Sequence, residues 1–471
     1  MQTPPARSAA DAASPHRSCR TNLAAWLACL SLLCAAPPAL AAHLTEVADA
    51  MDEAHPLEVD LDVGYVHEQR RTRITRETLQ ADPTTGKSVP GFNDELQHVR
   101  TVDELRFRLG VGLWHDLELH AIVPLALADQ QEWDYAAGGA AGSTLATNRI
   151  SVSGCAAPGA CSPAGPAQPI VGAPGGSLRA GFRDPIIGVA WGPINEQREM
   201  ILHPDLFPPG RPVSTWVVGF DYTLPLPGTP DDPSAFGFAA ANTATSPSAR
   251  PSRTVRRKAH LFSFWTGFSK RYRVLDPYVV ARVTLPVAVR GDGSSGGAYD
   301  NCWHPELLSD VAPQNCVDAA WKGKTGYKPP LSAILTLGTE LVAMESAARD
   351  QKFAFDVRSE LTYVAPGRDY TQVTDALGKL TYAEEYAALS GSLGIYWRLA
   401  RVLHVRAAGT LGLETPHFLT TEDIGKNASA GASPKSQQNP LYDFRLDTPG
   451  RRLRAEMSLV WGANASASLN F

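Results

Sequence analysis

Three histidines could serve as bases, His115, His120 and His404, and the sequence GSSGG at 293–297 fits the Gly-x-Ser-x-Gly pattern of a serine nucleophile. That nucleophile must sit where a strand turns into a helix. Here the pattern lies in a Gly-rich loop beside Asp292 and Asp300, and no Ser or Asp constellation surrounds any of the histidines, so each reads as isolated. The acids Asp231, Asp232, Asp292 and Asp300 could hold Ca²⁺ but lack a spaced ligand loop and read as solvated. Of the seven cysteines, Cys155, Cys161, Cys302 and Cys316 lie beyond the N-terminal region. Their Cys-x5-Cys and Cys-x13-Cys spacings are unlike zinc sites, even with His304 nearby. In an oxidising compartment four cysteines allow three pairings, and proximity favours loop-stapling disulfides Cys155–Cys161 and Cys302–Cys316. These residues imply no enzyme, no metal and no cofactor.

A second set of chemically capable residues is periodic. LEVDLDVGY, from Leu57, puts Leu57, Val59, Leu61, Val63 and Tyr65 on one side and Glu58, Asp60 and Asp62 on the other. ELRFRLGVGL repeats the arrangement with Arg106 and Arg108, and Glu118 follows after a WHD turn. The same polar parity carries Asp221, Arg282, Glu340, Asp356, Arg358, Glu360, Arg406, Glu414, Arg452, Arg454 and Glu456. Opposite charges at strand spacing can pair across neighbours, as Arg358 between Asp356 and Glu360 suggests.

The elements that present these residues are strands, twelve in number, with no convincing helix. Beyond the first three they run near Pro185 to Trp191, Ser214 to Leu224, Phe262 to Phe268, Val279 to Val287, Leu331 to Leu341 and Phe353 to Tyr363. The last three are Ala387 to Trp397, Leu403 to Leu413 and Leu453 to Phe471, where one apolar parity is expected to persist to the final residue. Connections after even-numbered strands are mostly short, such as WHD and RLARV. Those after odd-numbered strands are long and rich in Gly, Pro and Ser, one running from Ala128 to Ala180. Loops of that size are anomalous in a compact soluble domain and normal on the outer side of a bacterial membrane barrel.

The N-terminus reads as an export signal. Arg7, Arg17 and Arg20 precede the apolar LAAWLACLSLLCAA and a small-residue cleavage site after Ala41. A signal anchor, or a lipoprotein signal at Cys29, is the rival. The expected organisation is 1–41 signal peptide, 42–55 periplasmic segment and 56–471 barrel. The chain is 44% hydrophobic with net charge −5, which excludes disorder and argues against nucleic acid as a partner. An exported chain with one-sided strands can bury its apolar faces in a sandwich or present them to lipid in a closed barrel. An even strand count and recurrent aromatics near strand ends, including Trp114, Trp191, Trp397 and Trp461, favour the barrel. The fold class expected is therefore all-β: a single antiparallel up-and-down transmembrane β-barrel of about twelve strands, with short periplasmic turns and long extracellular loops.

Four segments, GLWHDLELHAIVPLAL, FRDPIIGVAW, VVGFDYTLPLPG and NPLYDFRLDTPGRRLRAEMSLVW, resemble outer-membrane transporter barrels of the phenol-degradation meta-pathway type. The resemblance covers about a third of the chain and departs from that group in the long Cys-containing loops. It implies a transporter-like outer-membrane barrel without catalytic residues, and it names no cargo. Phe471, ending an alternating apolar strand, resembles the signal read by the outer-membrane assembly machinery. The expected partners are outer-membrane lipid, that machinery and small solutes, hydrophobic ones included. The charged parity would line the lumen, either as a weakly selective conduit or as paired charges filling space. The alternatives are a non-conducting barrel whose loops bind a partner, a barrel hydrolase and a soluble sandwich.

Overall fold

The computed structural model describes residues 55–81, 84–136, 139–147, 175–195, 213–227, 255–289, 327–346, 351–400, 402–423 and 445–471, with scattered positions at 42–52, 171, 349 and 439–443. The signal region 1–41 lies outside the described residues, as do Cys155, Cys161, Cys302 and Cys316, the GSSGG loop and Asp231, Asp232, Asp292 and Asp300.

Twelve strands carry the architecture. The first three are β1 Val59–Ala81, β2 Ser88–Trp114 and β3 Leu117–Tyr135. Then come β4 Ile186–Asn195, β5 Val213–Thr223, β6 Ala259–Arg271 and β7 Leu275–Ala288. The remainder are β8 Ser332–Ser346, β9 Gln351–Val364, β10 Tyr386–Ala400, β11 Leu403–Glu414 and β12 Ser458–Asn470. Each pairs antiparallel with its neighbours in sequence, and β12 returns to β1 in register from Leu459↔Arg71 to Asn470↔Asp60. The sheet is closed. At the rim, Val59 and Phe471 exchange backbone hydrogen bonds of 3.1 and 3.0 Å, so the last residue of the chain seals the seam.

The hairpin predicted at WHD needs only His115 and Asp116 between the paired Trp114 and Leu117. A turn this tight requires positive φ, and Asp116, at φ 55°, is a residue type that tolerates it. Its side chain accepts from Asn195 Nδ2 at 2.8 Å, fastening the turn to β4.

Side chains divide as the alternation requires. Leu109, Val283 and Leu389 are 43%, 41% and 57% exposed on the outside, with no second protein layer over them. Inside, several strand pairs meet across glycines. A Cβ on Gly219 would stand 2.2 Å from the Trp265 ring, one on Gly338 2.4 Å from Tyr278, and one on Gly188 2.3 Å from His120 Nε2. Each glycine lies directly opposite the large residue in register, so the ring lies flat across the neighbouring backbone.

The structure corrects the expected strand lengths. β1, β2 and β3 are 23, 27 and 19 residues long, well beyond the 9–11 that cross a bilayer. Their extensions are polar, reading Glu68–Ala81, Ser88–Asp103 and Ala128–Tyr135, and so look like loop in sequence. Accessory strands Gly175–Phe182 and Leu453–Ala455 prolong the wall above β4 and β12, and His417–Phe418 pairs with the latter. Between Phe182 and Ile186 the chain passes through Pro185, which cannot donate to a ladder.

Above the barrel wall the segments after β3, β9 and β11 fold into a cap with its own apolar core: Ile74, Leu96, Trp133, Leu145, Val373, Leu377, Leu446 and Leu453 among others.

The expected unbroken parity from Leu453 to Phe471 fails. Ala455 pairs with Ile74 and Leu459 with Arg71, so β12 has one more residue than β1 across Glu456–Met457. This bulge turns Leu453 and Ala455 into the cap core.

Candidate functional site

The inward parity of β1 to β7 forms a continuous polar chain. Arg108 bridges Asp60 at 2.6 Å and Glu118. His120 stands between Glu118, 3.2 Å from Nδ1, and Asp221, 3.0 Å from Nε2. Asp221 also accepts from Arg282 at 2.9 Å, whose guanidinium carbon lies 5.9 Å from the centre of the Trp265 ring. His120 is therefore not isolated, as its sequence context suggests. Its partners come from β3 itself and from β5, about a hundred residues away, and no local pattern announces the second. The room for it comes from Gly188.

A second group gathers on β7 to β11. Tyr278 donates to Asp356 at 2.6 Å, and Arg358 also binds Asp356. Lys352 and Glu340, both buried, pair at 3.0 Å. Arg406 is half-buried in the same group, where of the surrounding charges the like charge of Arg358 acts on it most strongly, followed by the acids Glu340, Asp356 and Asp62. Glu360 receives a long contact of 3.4 Å from Thr336.

The remaining predicted residues scatter. Glu58 is at the rim, 3.5 Å from Asn470, while Asp62 accepts from Ser468 at 2.7 Å. Arg106 pairs with Glu104 at 2.6 Å, and Glu414 with Arg70 at 3.1 Å. The β12 bulge moves Arg452 and Arg454 off the inward parity. Arg452 pairs with Glu77 at 2.9 Å and covers the Phe418 ring, and Arg454 covers Phe92 at 4.7 Å. Glu456, in the bulge, accepts from Thr75 at 2.8 Å. His404 is buried beside the Tyr396 ring.

Residues ahead of β1 also reach the inner wall. Thr45 Oγ1 and Ser269 Oγ are 2.8 Å apart, and the Ala48 amide donates to Glu118 Oε2 at 3.0 Å. The segment read as periplasmic thus touches the barrel's interior near its short-turn end.

Residues that the sequence did not single out dominate the other end. Arg100 binds Asp129 bidentately, both contacts 2.8 Å, and Arg183 joins Asp129 at 3.1 Å. In the cap, Arg179 grips Asp375 through two contacts of 2.6 and 2.7 Å, and Arg368 binds Glu422. Glu95 Oε2 accepts from Ser143 Oγ at 2.7 Å and from the Thr144 amide at 2.9 Å. Burial pushes the Asp447 carboxyl up to about 7, with Lys379 opposing. Burial acts the same way on Asp443, but Lys379 and Arg445 outweigh it and hold that carboxyl low. Among the described residues, no three His, Cys, Asp or Glu side chains converge as a metal site.

The arrangement defines a closed twelve-stranded β-barrel with a charge-lined interior and a folded cap. No known family profile matches the chain, and no curated protein does. Among solved structures it is similar to an outer membrane channel from Pseudomonas putida F1, at 8% identity and TM-score 0.36 over 87% of this chain and 95% of that one. A Pseudomonas aeruginosa FadL homologue matches at 10% identity and TM-score 0.29, covering 88% of this chain and 90% of its own. The outer membrane protease OmpT from Escherichia coli matches at 7% identity and TM-score 0.25, over 88% and 96%. These similarities carry no residue correspondence, and the class rests on the barrel's own closed register.

Proposed function

We propose that this chain is a bacterial outer-membrane barrel that lets small solutes, hydrophobic ones included, pass by diffusion, and that it performs no catalysis. The observation that carries the reading is a sheet without an edge whose outward residues are exposed and apolar. In hydrocarbon every backbone amide needs a partner, and closure supplies it. A soluble sandwich has no use for such a surface, which far exceeds ordinary exposed patches.

On this reading residues 1–41 direct export and are removed, and the strand ending at Phe471 is handed to the outer-membrane assembly machinery. The inward charges line the conduit. Because acids and bases alternate along it, selectivity between small cations and anions is weak. Cys155–Cys161 and Cys302–Cys316 staple external loops.

A second reading has support in the cap. A core built around Leu377 and Leu446 suits a barrel that conducts nothing and uses its outer surface to bind a partner. Planar-bilayer recording separates the two: discrete steps with a reversal potential near zero in a KCl gradient support a channel, and silence at all voltages supports the capped, non-conducting barrel.

A further inference from the structure

The two sides of the lumen are filled differently. On β4 to β6 the inward residues Ala190, Thr215, Val217, Ser263 and Ser269 are at most 8% exposed. The segment ahead of β1 helps to cover this side: Thr45 and Ala48, both buried, reach Ser269 and Glu118, and a Cβ on Gly267 would stand 3.4 Å from the Thr45 methyl. On β10 to β12 the inward residues are small. Gly394, Ala408 and Asn464 form one row across the three strands, and Ser392, Thr410 and Gly462 form the next. Ser468, of the same parity as Asn464, donates to Asp62 inside the barrel, which fixes that parity as inward. Asn464 is nevertheless exposed, and Ser392, Ala408 and Ser466 are only half-buried. Water therefore reaches the β10 to β12 side and is kept from the β4 to β6 side.

The free charges lie on the accessible side. Arg108, Arg282, Lys352 and Arg358 are each held by a carboxylate. Arg406, directly opposite Tyr396 on β10 and Ser466 on β12, makes no hydrogen bond, ion pair or ring contact among the described residues. Two of the acids in its field are committed elsewhere, Glu340 to Lys352 and Asp356 to Arg358. The third, Asp62, accepts from the Ser468 hydroxyl at 2.7 Å and is in no ion pair among the described residues. Glu360 likewise meets only hydroxyls, those of Thr336 and Thr362 at 3.4 and 3.5 Å. A guanidinium carries five N–H donors, so one without a protein acceptor must be met by water.

We infer that solutes pass along the inward face of β10 to β12, and that Arg406 sets the charge preference of this path by offsetting the unpaired acids Asp62 and Glu360. Charges already locked in pairs present little net field to a passing ion, whereas a lone guanidinium or carboxylate at the edge of the water presents all of its own. The inference rests on the transport reading and deepens it, giving the conduit a side and its weak selectivity a residue.

Two measurements on the full-length barrel test it. In planar bilayers under a KCl gradient, Arg406→Gln is expected to shift the reversal potential to the cation-selective side, Asp62→Asn to shift it to the anion-selective side, and Arg406→Lys to keep the parental value. In detergent, Ala408→Cys, Asn464→Cys and Ser466→Cys are expected to be labelled to completion by a charged methanethiosulfonate in a time that leaves Ala190→Cys, Thr215→Cys and Ser263→Cys unlabelled, with the parent protein giving the background from the native cysteines. Each variant is first shown to keep the compact unheated mobility of a folded barrel. An unshifted reversal potential in Arg406→Gln, or equal labelling of the two cysteine sets, overturns the inference. A barrel silent in bilayers whose two cysteine sets still differ supports the accessible side and sinks the channel reading alone; a conducting barrel with equal labelling sinks this inference alone.

Discussion

Arg179 and Asp375 join the accessory strand beside β4 to the short helix Thr374–Leu377, both side chains buried and bidentate. Removing one partner strands the other charge in the cap, at a cost of about 3–5 kcal/mol. Asp375→Ala should therefore open segment 369–378 to hydrogen exchange and protease while leaving the barrel's compact gel mobility unchanged. Loss of that mobility would show that the pair supports the wall as well. The cap also has a pH signature. Burial opposes ionisation of Asp375, but Arg179 holds its carboxyl below the usual range, so this stabilisation is present above the unfolded value of 3.8 and is lost as pH falls through the lower folded value. Asp447 has the opposite sign: raised by burial to about 7, it favours the cap when protonated, and that contribution declines as pH rises from 3.8 to about 7. Cap amides, corrected for intrinsic exchange, should be most protected at about pH 4–5; protection that rises steadily to pH 8 contradicts the assignment. None of these residues was legible in the sequence. Loop charges have no period, and the partner of Arg179 is 196 residues away. The lumen ladder was legible because strand alternation marks it, from Asp60 and Arg108 to Asp356 and Arg358, and it failed at Arg452 and Arg454 where one inserted residue reversed the parity.

Strand existence was readable for all twelve elements, and strand length was not. Alternation between Leu and Glu or Arg marks a wall with lipid on one side, as in Leu105 to Leu113. Where β1 to β3 rise above that level both faces are polar, and Glu68–Ala81 carries no apolar stripe to report its conformation. The extended ladder forms because cap residues such as Leu377 and Leu446 pack against its inner face at Ile74 and Leu96. Glycine gives the second element-scale feature. Gly219 and Gly338 lie beneath the rings of Trp265 and Tyr278, so Gly219→Val or Gly338→Val must displace an aromatic ring across the strand pair. Overpacking of this kind costs about 1–3 kcal/mol. Gly409, with nothing within 4 Å of its added Cβ, is the control. Urea unfolding in detergent should show a lowered midpoint for either valine variant and none for Gly409→Ala. Equal midpoints would mean that the rings do not depend on those glycines.

At the scale of the molecule one physical condition organises the rest: the sheet closes, so its backbone is satisfied whatever surrounds it, and its outward side chains select hydrocarbon as that surrounding. Arg108, His120 and Arg282 then lie in the interior, where they find partners across the strands. Residues ahead of β1 enter at one end through Thr45 and Ala48, and the cap covers the other through Asp375 and Arg368. The most direct test replaces Leu109, Val283 and Leu389 singly with cysteine, alongside the inward Arg108, Arg282 and Ser390. Each is labelled with a fluorophore, and quenching by lipids carrying nitroxides on their acyl chains is measured after reconstitution. The three outward labels should be quenched strongly and the three inward labels weakly. Equal quenching of the two sets, or protection of the outward one, would contradict a barrel that meets lipid through its apolar face.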